Sequence, residues 1–150
     1  MISGEENIAR ILKPNWLIMG KVSSAAFNLR PQISETYISV LRENEDSFKE
    51  DAKKVSKEKV ITYASMEAKE IHSAKPENIE ENVEFNVIAT DNERMKSHAG
   101  IFVFINGKQY FGGMSPETLE LKKGTPAELI LLETRRALAK IASLNIKVIQ

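Results

Sequence analysis

Apolar and polar positions alternate in some stretches of this 150-residue chain and recur at helical spacing in others. In "ETYISVLREN", Tyr37, Ser39 and Leu41 fall on one side and Ile38, Val40 and Arg42 on the other, which predicts a strand. "VITYAS" and "VEFNVIAT" predict two more, the second with Val83, Phe85 and Val87 on one face. In "GIFVFINGKQYFGG" two apolar runs flank Asn106-Gly107, the residue pair that a type I′ hairpin turn needs at its two positive-φ positions. A two-residue loop sets Ile105 opposite Lys108, Val103 opposite Tyr110 and Phe102 opposite Phe111. "SPETLELKKG" predicts a turn and a short strand through Leu119 and Leu121, and "IKVIQ" a last strand.

Helical spacing predicts the remaining elements. Ile8, Ile11 and Leu12 suggest a short helix from Glu5 to Leu12, ended by Pro14. Ser23 or Ser24 caps a turn through "SAAF". "ENEDSFKEDAKKVSKEK" is a thinly amphipathic surface helix with Ser47 and Glu50 as its capping box. Ser65 caps a helix in "MEAKEIHS". The longest helix runs through "GTPAELILLETRRALAKIASLN", with Thr125 as N-cap, Pro126 in the first turn and Glu128 completing a box. The sum is a single α+β domain spanning residues 1–150. It has a mostly antiparallel sheet of about five strands with covering helices, and no repeat or linker divides it.

Composition narrows the function. The 21 Lys and Arg balance 21 Asp and Glu, which disfavours nucleic acid as the main ligand. There is no cysteine, hence no disulfide, thiol nucleophile or Cys-based zinc site. No apolar run approaches a membrane span, and the N-terminus lacks a signal-peptide pattern. The expectation is a cytoplasmic protein that takes no cofactor or metal.

Candidate chemistry is sparse. His98 stands between a polar loop and a strand, a place where a histidine can act as general base; hydrogen bonding within the loop is the alternative. His72, near a helix end, is expected to be structural or solvated. "GKVSSAAF" matches neither the P-loop nor the nucleophile elbow. The glycines of "YFGGMSPE" can form an anion nest or simply end a strand.

Trp16, Gly20, Ser23, Ser24, Ala26, Phe27, Ser39, Val40, Arg42, His98 and Ala99 form a pattern that resembles a group of small uncharacterised bacterial proteins over roughly residues 15 to 103. No activity accompanies the group. The resemblance implies only that Ser23–Phe27, Arg42 and His98 meet in one place.

Two functions follow as expectations. The first is a non-enzymatic interaction or accessory module of a bacterial system, antitoxin-like, immunity-like or regulatory. It docks another protein, or a second copy of itself, through a hairpin face with Phe102, Phe104 and Phe111. The second is a small enzyme or a nucleotide- or anion-binding protein using His98 with Arg42 and Ser23 or Ser24, which requires these side chains to converge.

Overall fold

The computed structural model describes residues 1–122 and 124–150. Its main sheet runs in the order β6-β7-β4-β1-β5-β9, every pairing antiparallel. The strands are β1 (Asn7–Ile11), β4 (Ile38–Arg42), β5 (Ile61–Glu67), β6 (Val83–Ala89), β7 (His98–Ile105) and β9 (Ile146–Ile149). A small hairpin, β2 (Leu17–Ile18) and β3 (Lys21–Val22), stands apart. The helices are α1 (Phe48–Val55), α2 (Ala68–Ser73) and α3 (Ala127–Ala142). The fold class is α+β, and with the short β8 (Lys108–Gln109) paired to β7 the central sheet has seven strands, two more than the pattern suggested.

The two faces of the sheet are covered unequally. Ile8, Val40, Met66, Phe85, Ile101 and Val103 point to one face, where they pack with Phe27, Ile71, Ile130 and Leu138 in the larger core. Each such side chain contributes about 1.5–3 kcal/mol by leaving water. Ala9, Leu41 and Tyr63 point to the other face and meet Phe48 and Ala52 of α1. The eight residues of α1 pack with the β4, β1, β5 and β9 part of that face and leave the β6 and β7 part beyond them.

Several elements differ from their sequence reading. The segment expected as a helix from Glu5 to Leu12 is strand β1. Its residues are apolar on both sides because both are covered, so the period of two is hidden and Ile8, Ile11 and Leu12 mimic helical spacing. Ser47 makes no capping box with Glu50; its hydroxyl donates to Asp51 Oδ2 at 2.9 Å, and α1 stops at Val55. Ser65 lies inside β5, and the residue before α2 is Glu67, whose amide donates to Glu70 Oε1 at 3.3 Å. Leu119 and Leu121 form no strand: Pro116–Leu119 is a 3-10 turn that buries Leu119. At α3 the cap position is Pro126, without a side-chain bond from Thr125.

The hairpin at Asn106-Gly107 forms, with Ile105 opposite Lys108, but β8 is only Lys108–Gln109. Residues Ile101 to His98 of the same β7 edge are paired with β4. After the amide of Tyr110 donates to Val103 O the chain turns away, so Phe111 never faces Phe102. Gly112 presses against the carbonyl of Arg30, where a side chain would collide, so the glycine pair serves packing. No helix among the described residues is long and apolar enough to cross a membrane.

Candidate functional site: a cationic cleft where two strands part

Strands β1 and β4 pair only at Ile8–Arg42 and Ala9–Leu41. Beyond that point they separate, and the Arg10 side chain fills the gap. Its Nη1 donates to Ser39 O at 2.7 Å and its Nε to Ala26 O at 2.9 Å. Ala26 is held there by the 3-10 turn Ser24–Phe27, whose preceding Ser23 hydroxyl accepts the Ala25 amide at 3.2 Å. A cleft of about 710 Å³ opens at this place, lined by residues from Arg10 to Trp16, the turn at Ala25 and Asn28, the end of α1, Met95 and His98. Its size is that of a small-molecule site.

The cleft is electropositive. Arg10, Lys13, Arg30 and Lys57 line it against Glu35 and Glu58, four cations to two carboxylates, a local balance of +2 in a chain with a formal net charge of zero. Arg30 is already neutralised by Glu35 at 3.0 Å. Arg10 is not: among the described residues no carboxylate oxygen lies within 4.0 Å of it. Burial pushes its guanidinium down to about 10, opposed in part by the charge of Glu35. Its remaining compensation is the Trp16 ring, 4.9 Å from the guanidinium carbon to the ring centre. Lys13 Nζ lies 5.2 Å from the same ring.

His98 borders the cleft from β7. It pairs with Leu41, so its ring lies on the α1 side of the sheet. Nδ1 shares a 2.6 Å hydrogen bond with Thr90 Oγ1, and the edge of Tyr37 packs on the ring at 5.9 Å between centres. The bond to a loop side chain orients the imidazole and leaves Nε2 without a protein partner among the described residues. Gly100 makes room for Tyr37, since a Cβ there would lie 2.6 Å from its ring. The preceding Ser97 is wholly buried and bound to Asp51 of α1.

The expected meeting of Ser23–Phe27, Arg42 and His98 does not occur as one site. Leu41 shares a face with His98, so the next residue, Arg42, points to the opposite face by strand alternation. There it chelates Glu6 at 2.8 and 3.0 Å, and these bonds raise its pKa further. It lines a separate shallow concavity with Glu45, Asp91 and Lys96. Ser23 and Ser24 build a turn, and Phe27 is sealed in the core. Their contribution to the cleft is the backbone of Ala25 and Ala26. The sequence reading gave Arg10 no role, since it took this segment as a short helix; its neighbour Trp16, the only tryptophan, was the available signal.

A second polar cluster sits on the α1 side. Glu43 accepts bonds from Tyr63 at 3.0 Å, Ser65 at 2.5 Å and Lys147 at 3.0 Å. Burial raises the Glu43 pKa but these bonds outweigh it, and the carboxyl stays below its ordinary range. Burial and Glu43 together push the Tyr63 hydroxyl up to about 12. Every member has its partner, so the cluster braces β5 against β9. His72 is likewise engaged: its Nε2 accepts the Val87 amide at 3.2 Å and caps the open edge of β6. Among the described residues no group of three His, Asp or Glu is placed to hold a metal ion.

Phe102 and Phe104 lie on the α1 side of β7, beyond the reach of α1. Tyr37 packs on Phe102 at 5.1 Å, both phenylalanines are half-buried, and Ile88 beside them is exposed. No family model, no curated protein and no solved structure matches this chain.

Proposed function

We propose that this chain is a non-enzymatic interaction module of the bacterial cytoplasm, an accessory or regulatory partner that docks another protein through the uncovered face of β6 and β7. The supporting observation is the aromatic row on that face. An antiparallel sheet that turns one side to water carries polar side chains there. Here Phe102, Phe104, Tyr37 and Ile88 occupy it, and no helix among the described residues covers them. Glu84 and Asn86, opposite Phe104 and Phe102, give this patch a polar border, as an interface rim has.

The placement of Arg42 and His98 on opposite faces of the sheet supports this reading over one that needs the two side chains together. The experiment is a pull-down from the native host with tagged wild type, an Ile88→Lys/Phe104→Lys double variant and His98→Ala. Lysine at 104 faces Glu84, and a melting curve verifies that the double variant is folded. A stoichiometric partner retained by wild type and His98→Ala but lost from the double variant is the expected result. A partner held equally well by the double variant, or none captured at all, overturns the proposal.

A further inference from the structure

We infer that Arg10 anchors a binding site for a small organic anion, whose carboxylate or phosphate head group supplies the counter-charge missing from the cleft. The argument starts from the cost of the arrangement. Arg10 is a half-buried cation with no carboxylate oxygen within 4.0 Å among the described residues, and a partly desolvated charge without a close counter-ion is costly. Two backbone carbonyls satisfy two of the five guanidinium N–H groups, and these bonds fix the fork in place. The Nη2 group has no hydrogen-bond partner among the described residues. A fixed guanidinium edge with free N–H groups is the geometry that receives a planar carboxylate or a phosphate.

The surroundings agree with that ligand. Lys13 and Lys57 add positive charge at the rim against the single carboxylate of Glu58, while Arg30 is paired with Glu35. The Trp16 ring and the side chains of Ile11, Pro14, Val55 and Met95 line the cleft with apolar surface. The ligand that fits is an oxyanion joined to a flat or apolar body. A purely structural arginine would need neither the two lysines nor the open volume. The site is independent of the aromatic face on β6 and β7, so either can fail without the other.

Trp16 is the only tryptophan, so its fluorescence reports on the cleft directly. The full chain is titrated at constant ionic strength with inorganic phosphate and, separately, with benzoate. A saturable change with at least one probe is expected, and which one saturates separates a phosphate head from a carboxylate on an aromatic body. Lys13→Glu and Lys57→Glu alter exposed side chains and leave the Arg10 bonds intact. Each is expected to weaken binding about tenfold, the order expected for reversing one nearby charge. Lys49→Glu, outside the cleft, leaves it unchanged. Arg10→Gln, verified as folded by its melting curve, loses binding. The inference is overturned if neither probe saturates up to about 50 mM, a range that reaches well beyond millimolar affinity. It is also overturned if the two lysine variants bind as wild type does, which decides the matter even where Arg10→Gln does not fold.

Discussion

Replacing Asp51 by alanine tests how the structure holds α1 and the loop before His98 together. The Asp51 side chain is almost wholly buried, and Oδ2 accepts Ser97 Oγ at 2.6 Å, the Ser97 amide at 3.0 Å and Ser47 Oγ at 2.9 Å. Lys54 Nζ stands 3.7 Å from Oδ1 but is well exposed, and such a pair contributes roughly 0–1 kcal/mol. In the variant Ser47 turns to water, whereas Ser97, with no exposed surface, keeps two donors without acceptors. Each orphaned buried donor costs about 1–3 kcal/mol, so the total loss is about 4 kcal/mol. For a domain of this length that lowers Tm by roughly 10 °C.

The same pair carries a pH signature. Burial raises the Asp51 pKa, but the bonds from Ser97 and Ser47 outweigh it, and the folded value lies below the ordinary aspartate value of 3.8. The unfolded chain therefore takes up the proton first. The stabilisation is complete above about pH 4 and is lost as pH falls through the folded pKa. Urea denaturation of wild type, Asp51→Ala, Ser97→Ala and Lys54→Ala at pH 7 and near pH 3 measures both effects. Ser97→Ala keeps the amide bond and is expected to cost about 1–1.5 kcal/mol. A cost for Asp51→Ala no larger than that of Lys54→Ala, or a difference from wild type that does not shrink in acid, refutes the reasoning.

Other outcomes follow from the same geometry. Burial lowers the His72 pKa while Nε2 accepts the Val87 amide, so wild type loses stability as pH falls below 6.5. Thermal melts between pH 8 and pH 5 are expected to show this, with the slope reduced in His72→Gln. Gly100→Ala drives a methyl group into the Tyr37 ring and is expected to destabilise by about 1–3 kcal/mol; a Tyr37→Ser second change recovers part of that, as a double-mutant cycle in urea would report. Asn106→Ala removes bonds from Nδ2 to Glu81 Oε2 at 3.1 Å and Leu119 O at 3.0 Å and strains a residue at φ 53°. The expected cost is about 2–3 kcal/mol by chemical denaturation, part of it recovered by Asn106→Gly.

Local patterns carried much of the architecture. Val83, Phe85 and Val87 alternate because only one face of β6 is in the core, and Asn106-Gly107 specifies its turn through positive φ. The long apolar repeat of α3 and the charged flank of α1 were legible for the same reason: one side of each meets water. The reading failed where no side does. β1 lies in the centre of the sheet, so Ile8 and Ile11 are both buried and the strand period vanishes. Caps failed too, at Ser47, Ser65 and Thr125, because a serine or threonine near a helix start can find a partner elsewhere, as Ser47 finds Asp51.

The sequence by itself determined the α+β class, the hairpin, and the balanced, cysteine-free composition, because these depend on residue identity and short-range periodicity. Only the tertiary structure decided the candidate sites. It sent Arg42 to Glu6 and away from His98, since adjacent strand residues face opposite ways and pairing with Leu41 chose the side of His98. It made Arg10 the charged centre of a cleft, since Ser39 and Ala26, 29 and 16 residues away, supply the carbonyls that hold it. It left Phe102 and Phe104 half-buried and without a helix over them among the described residues, since the eight residues of α1 are too short to reach across the sheet. Contacts over such separations depend on which strands pair, and strand pairing is settled by the packing of the whole core rather than by any one segment.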